Sequence, residues 1–214
     1  MRIVVRIAVV CVLMSAGCSG ALCEQQIPEE SLACLQQTFG MVRDLLWEHS
    51  DVFWHRGEFE RCIAMTRLIV QVDPRDYEAY DTGAWLMQND FRDDEAEAFL
   101  REGLKNNPDV YDMYFYLGHF LYMHERYDEA APVLEKACEF ETPFFVDHTL
   151  AHAYEHAGRV DDALAVWRRM EKIEQDSGVP KRQIERITAG GPPTDVPGTI
   201  QKWRKERKER EGER

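Results

Sequence analysis

Apolar residues between positions 43 and 175 recur at helical spacing, and the blocks they form repeat every 33–35 residues. A proline closes an amphipathic stretch at 73–74 (DP), at 107–108 (NP) and at 142–143 (TP). Two series of small residues and one series of large apolar residues keep the same interval: Cys62, Ala96, Ala130, Ala163; Ser50, Ala84, Gly118, Ala151; Phe53, Met87, Leu121, Tyr154. A repeat of this length predicts stacked helix–turn–helix units.

Each unit is expected to place small residues where its two helices cross and large residues between successive pairs. The first helices are predicted at about 43–56, 77–90, 111–124 and 144–157, and the second at about 59–72, 93–106, 127–141 and 160–175. Because the end units of a stack have uncovered apolar faces, we also predict capping helices within 24–42 and 176–190. By composition, 191–214 forms a Gly/Pro linker and a charged tail.

Two segments resemble the tetratricopeptide-repeat family: YFYLGHFLYMHERYDEAAPVLEKACEFETP (114–143) and HTLAHAYEHAGRVDDALAVW (148–167). Both carry the family's Leu-Gly, Tyr and Glu-Ala type positions, and the resemblance covers about 43–175. It implies an all-α fold, a right-handed superhelical array of about four repeats with flanking capping helices. The sequence departs from the pattern at Phe91, where a turn glycine is usual, at Gly103, expected to weaken its helix, and at Gln175, where Pro is usual.

The resemblance also implies that the first helices line a concave groove and supply most contacts to a partner. The positions that match the family's contact positions are Asp44, Trp47, Asp51, Trp54, His55, Glu78, Asp81, Trp85, Gln88, Asn89, Asp112, Phe115, His119, Tyr122, Met123, Phe145, His148, His152, Glu155 and His156. They hold five of the seven histidines, three of the five tryptophans and six carboxylates, but no Lys or Arg.

Carboxylates and indole faces both attract cations, so this set predicts a protein or peptide partner with cationic or aromatic groups. The lack of basic residues excludes the acid-clamping groove that some members of the family use. We therefore predict an adaptor or scaffold that binds its partner in an acidic, aromatic and His-rich groove.

Three other interpretations compete with a working groove. Trp47, Trp54 and Trp85 could pack against one another or against the front cap. His148 and His152, four apart on one helix face, could bind a divalent metal together with His119, which would make the chain a metal carrier or an enzyme accessory. Asp81 beside His119 or His148 could act as a general base, but the sequence has no nucleophile motif or phosphate-binding loop, so we predict no enzyme and no cofactor.

The charge distribution narrows the class of partner. The chain carries a formal charge of −13, whereas residues 181–214 hold ten Lys/Arg against six Asp/Glu. An acidic body argues against nucleic-acid binding, which needs clustered cations. The basic tail has two interpretations, a solvated charged segment or a contact for anionic lipid or an acidic partner.

The N-terminus has a short basic start, an apolar run from Ile7 to Met14, and then small residues. This order predicts a signal peptide over 1–21, with cleavage after Ala21 or lipidation at Cys18 as in a bacterial lipoprotein. An uncleaved membrane anchor is a third possibility. The predicted location is the periplasm or a lipid anchor in a bacterial envelope, where Cys23 and Cys34 could pair.

Overall fold

The computed structural model describes residues 28–174 and 176–194, and these ranges form nine helices. Their bounds are α1 Glu29–His55, α2 Phe59–Val72, α3 Tyr77–Asn89, α4 Asp93–Asn106, α5 Tyr111–Met123, α6 Tyr127–Ala137, α7 Phe144–His156, α8 Val160–Ile173 and α9 Val179–Thr188. The predicted signal peptide, the lipidation site Cys18, the Cys23–Cys34 pair and the tail beyond Thr194 lie wholly or partly outside the described residues. Within those residues, no helix has the length and apolarity needed to cross a membrane.

The helices stack in chain order, each packing on the next, and the first helices of neighbouring units also touch, α3 on α5 and α5 on α7. This arrangement confirms the predicted all-α array of helix pairs. Most helix ends lie within two residues of the predicted ones. There are two exceptions: α1 begins at Glu29 rather than near 43, and α6, which carries Pro132, ends at Ala137 rather than near 141.

The small and large residues of the period have the predicted roles. Ala96, Ala130, Ala151 and Ala163 are fully buried in the core. A side chain at Gly118 would place its Cβ 2.7 Å from Leu134, so α5 and α6 can approach this closely only at a glycine.

Two expectations about the array were wrong. The front cap is not a separate helix, because α1 runs without a break from Glu29 through the first helix of unit one. Gly103 does not mark a weak point in α4: a Cβ there would lie 2.6 Å from both Tyr80 and Met113, so the glycine allows α4 to pack closely on its neighbours.

The turn inside each unit uses one left-handed residue at a constant register: Gly57, Phe91, Glu125 and Gly158, with φ of 71°, 63°, 60° and 74°. Phe91 therefore adopts the conformation of the glycine it replaces. Since a residue with a Cβ is strained in this region, units two and three fold at a local cost that units one and four avoid.

Candidate functional site

The first helices α1, α3, α5 and α7 lie side by side, and their predicted contact positions form one surface, which we call the inner wall. Its open end comprises α1, α3 and α5. Its closed end is α7, on which α8 packs, and α9 packs on α8 and reaches α7 through Arg186.

Two indoles dominate the α1–α3 part of the inner wall. The ring centroids of Trp54 and Trp85 are 5.6 Å apart, and that of Phe59 lies 5.4 Å from Trp54. Both indoles are exposed, Trp54 by 40% and Trp85 by 50%. Phe59 and Trp85 also line a cavity of about 490 Å³ together with the carboxylates of Glu60 and Asp90. We call the Trp54–Trp85 pair, together with Phe59 of α2 beside it, the indole cluster.

Trp54 and Trp85 pack against one another, as the packing interpretation predicted, although both stay exposed, whereas Trp47 has a different environment. It is half-buried, and its Nε1 donates a hydrogen bond to Oδ2 of Asp76 at 2.9 Å. Asp76 in turn caps α3 by accepting from the backbone N–H of Ala79. Trp47 therefore joins α1 to the start of α3.

The remaining predicted residues of α1 and of the end of α3 lie at the edge of this surface. Asp44 is exposed and bonds Arg43 at 2.8 Å, while His55 lies 3.5 Å from Asp51 with both side chains in solvent. Asn89 donates to the backbone oxygen of Trp85 at 2.8 Å.

Carboxylates collect in the middle of the inner wall, on α3 and α5. Burial, together with the nearby charge of Asp112, raises the pKa of Asp81 to about 6. Burial also raises the pKa of the Tyr116 hydroxyl, with further contributions from Asp81 and Asp112. Across 28–174 and 176–194, no Lys or Arg forms an ion pair with Glu78, Asp81 or Asp112, which we call the acidic centre.

Aromatic rings run along α5 and cross to α7. The Phe115 ring packs edge-on against Phe145 at 5.0 Å and stacks with His119 at 5.5 Å. Tyr122 lies 6.5 Å from His119 and 6.0 Å from His156. His119 is exposed to solvent, but the protein atoms around its ring partly desolvate it, and this lowers its pKa.

At the closed end, side chains from α8 and α9 engage the predicted groove residues of α7. Arg186 of α9 donates to both carboxylate oxygens of Glu155 at 2.7 Å. Nε2 of His148 lies 2.6 Å from Oε1 of Glu174, at the end of α8. The rings of His148 and His152 lie 5.0 and 5.2 Å from the buried ring of Trp167.

These contacts leave His148, His152 and Glu155 largely enclosed. Burial lowers the pKa of His152 to about 4, although the neighbouring Glu155 opposes the shift. The described part of the chain contains no group of three or more His, Cys, Asp or Glu side chains placed to hold a metal ion. The alternative metal site at His119, His148 and His152 is therefore not formed here: His119 faces the rings of α5, whereas the other two face α8 and α9.

Sequence reasoning missed four residues that shape this surface: Tyr116, Trp167, Glu174 and Arg186. One of them had a signal, because Arg186 lies 34 residues after His152 and so continues the repeat into α9. Glu174 and Trp167 had none, since their role depends on how α8 crosses α7.

Helix pairs with a period of about 34 residues, whose first helices share one wall, define an all-α repeat array of the tetratricopeptide type. Residues 88–144 match the sequence profile described as "Tetratricopeptide repeat". The match begins near the end of α3 and ends at the start of α7, and it supports the resemblance over that segment. A search of curated proteins found no match to the chain.

Solved structures with the same fold include three whose sequences have low identity to this chain. PilF of Pseudomonas aeruginosa is 18% identical, over 74% of this chain and 80% of PilF, with a TM-score of 0.54. A structure described as MamA protein is 17% identical, over 68% and 80%, with a TM-score of 0.57. MamA from Desulfovibrio magneticus RS-1, from residue 41 to its end, is 15% identical, over 69% and 85%, with a TM-score of 0.57. At these identities the similarity concerns the fold.

Proposed function

We propose that the chain is a non-catalytic protein-binding scaffold, and that its inner wall binds a segment of a partner protein carrying cationic and aromatic side chains. The observation that carries this proposal is the exposed Trp54–Trp85 pair on the same wall as the acidic centre, whose carboxylates form no ion pair with a Lys or Arg of the described residues. Large exposed aromatic side chains grouped on one face are typical of interaction sites rather than of a solvated surface.

The chemistry of the wall favours one kind of ligand. A Lys or Arg side chain gains about 0.5–2 kcal/mol over an indole face, and more when a carboxylate lies nearby. The acidic centre would supply that carboxylate, since Asp81 and Asp112 are half-buried near one another and neither forms an ion pair with a Lys or Arg of the described residues. An acidic segment or a nucleic acid would meet repulsion at the same place.

Rigidity supports the same conclusion. The indole cluster and the acidic centre lie on packed helices rather than on loops, so little side-chain freedom is lost when a partner binds. An extended segment crossing α1, α3 and α5 would meet aromatic rings, then carboxylates, then aromatic rings again.

The experiment measures binding of synthetic peptides with defined charge by fluorescence anisotropy. We expect basic-aromatic peptides to bind most tightly, basic peptides next, and acidic peptides not at all. The double variant Trp54→Ala/Trp85→Ala should weaken binding of the basic-aromatic peptides at least about tenfold, with unfolding free energy changed by less than about 1 kcal/mol because both rings are already exposed.

The matched control is Leu68→Ala/Ile173→Ala, which removes two exposed apolar side chains from second helices. This control should leave binding unchanged. Equal weakening in both variants, or equal affinity for acidic peptides, would contradict the proposal. A large drop in the melting temperature of the Trp54→Ala/Trp85→Ala variant would mean that the rings stabilise the fold instead.

We further propose that the scaffold works in a bacterial envelope, exported by its N-terminal segment and anchored by a lipid on Cys18. The support is the order of basic, apolar and small residues in 1–21. Labelled palmitate should be incorporated into the wild-type protein and not into Cys18→Ala, which should move to the soluble periplasmic fraction. Absence of label from the wild type would exclude the lipid anchor.

A further inference from the structure

The chain contains a segment whose composition complements the inner wall. Between Lys202 and Arg210 it has six Lys/Arg against two Glu, together with Trp203, one of only five tryptophans in the protein. Cationic and indole groups are the ligand chemistry that the acidic centre and the aromatic rings favour. We call Lys202–Arg210 the basic segment.

The last described residues leave the fold beside the inner wall. After α9 the chain turns back, with the N–H of Gly191 bonded to the Arg186 carbonyl at 2.9 Å. Thr194 then lies against Gln183, with Nε2 of Gln183 3.1 Å from the hydroxyl oxygen. The Arg186 guanidinium donates to the Pro192 carbonyl and also to Glu155 of α7. The tail therefore starts at the closed end of the wall.

The tail is long enough to cross the wall. The 20 residues after Thr194 span up to about 66 Å when extended, and Lys202 is within about 26 Å of Thr194. Helix axes that pack together are about 8–10 Å apart, so the path from α9 through α8, α7 and α5 to α3 is at most about 40 Å, within the roughly 53 Å that separates Arg210 from Thr194 when extended. The basic segment can therefore reach the acidic centre from its own exit point.

We propose that the basic segment binds across the inner wall of its own chain, its cations beside Glu78, Asp81 and Asp112 and Trp203 against the rings of α5. This inference rests on the proposed function, because the tail would occupy the surface that the partner uses. Arg186 already makes one such contact, since it brings a cation from the C-terminal region onto Glu155. The tail would then act as a built-in competitor that a partner must displace.

Linkage within one chain favours this arrangement over binding from a second copy. A short tether gives an effective concentration in the millimolar range, so even a segment with low affinity for the inner wall occupies it at ordinary protein concentrations. The contact is largely electrostatic, and salt should therefore weaken it.

The test uses the full chain and a labelled peptide of residues 199–214. In the released variant, Lys202, Arg204, Lys205, Arg207, Lys208 and Arg210 are all replaced by Gln. We expect the peptide to bind the released variant at least about tenfold more tightly than the wild type, whose own tail competes. Adding Glu78→Gln, Asp81→Asn and Asp112→Asn to the released variant should weaken peptide binding again by about tenfold or more.

The matched control adds Asp94→Asn, Asp128→Asn and Glu171→Gln instead, which removes three exposed carboxylates from second helices and should leave peptide binding unchanged. Equal peptide affinity for wild type and released variant would overturn binding in cis. So would a wild-type dimer in sedimentation that dissociates in the released variant, because the tail would then reach a second copy. If the peptide binds neither protein while basic-aromatic peptides still depend on Trp54 and Trp85, the tail proposal fails and the scaffold proposal stands.

Discussion

The closed and open ends of the inner wall have similar compositions and different surroundings. At α7 the acid Glu155 is held by Arg186 and the imidazole of His148 by Glu174. On α3 and α5, Asp81 and Asp112 carry the same kind of charge, and no Lys or Arg of 28–174 or 176–194 pairs with them. Carboxylates and imidazoles of the inner wall thus stabilise the fold where side chains of a later helix pair with them. Where no later helix does so, they are available to a ligand.

The largest expected effect follows from removing the Arg186–Glu155 ion pair at the closed end. Arg186→Ala should destabilise the protein by about 2 kcal/mol, because Glu155, with a side chain only 6% exposed, would keep a buried charge without its partner. Urea unfolding would measure the loss. Arg182→Ala, on the same helix and exposed, should change little. If Arg186→Ala unfolds at the wild-type urea concentration, α9 does not stabilise the closed end.

Lowering the pH should destabilise the fold through His152 at the closed end. Its pKa is about 4 in the fold and about 6.5 in the unfolded chain, so the unfolded state takes up the proton first. The stability it contributes is complete above pH 6.5 and is lost as the pH falls towards 4, by about 1.5 kcal/mol after allowance for solvent. Glu155, Arg186, His148 and His156 all face this ring and adjust the size of the loss.

Unfolding free energy measured from pH 7.5 to 4 would test this. The His152→Gln variant should lose less stability than wild type across that window. Parallel curves for the two proteins would show that His152 does not couple acid to stability.

The open end should respond to pH with the opposite sign. Asp81 has a pKa of about 6 in the fold against 3.8 in the reference state, so its contribution is complete below pH 3.8 and is lost as the pH rises through 6. Asp81→Asn should therefore stabilise the protein at pH 7 by about 1 kcal/mol, and give no gain near pH 4. The same variant should bind basic peptides more weakly. Destabilisation at pH 7 would mean that Asp81 supports the fold rather than a ligand.

The smallest effect concerns the turn between α5, which belongs to the open end, and α6, which also packs on α7 of the closed end. Glu125→Gly should raise the unfolding free energy by about 0.5 kcal/mol, since glycine adopts φ of 60° without strain but loses more entropy on folding. Glu125→Ala removes the charge and keeps the strained conformation, so it should give no such gain. A gain of equal size in both variants would assign the effect to charge.

Most of the fold could be predicted from the sequence, because the period fixes it locally. Ala96, Ala130 and Ala163 mark helix crossings at constant spacing, and each lies buried where the repeat places it. The front of the array could not be predicted in the same way. Nothing in the sequence near residue 42 forces a break, and α1 continues through it.

The candidate site was predicted by residue type, and its division into two ends was not. Trp47 and Trp54 sit in equivalent patterns of the sequence, yet Trp47 bonds Asp76 of the next unit while Trp54 stays exposed. Partners of this kind lie some 30 residues away along the chain, and no local pattern specifies them.

The sequence by itself determined the helix pairs, their order and the kinds of side chain on the inner wall, since these follow from a periodicity that each segment carries within itself. Only the tertiary structure decided which of those side chains are neutralised. Arg186 and Glu174 reach α7 because α8 packs on α7 and α9 packs on α8, and the acidic centre remains without such a cover among the described helices. Charge pairing depends on distances of a few ångströms between remote segments, which packing sets and composition does not.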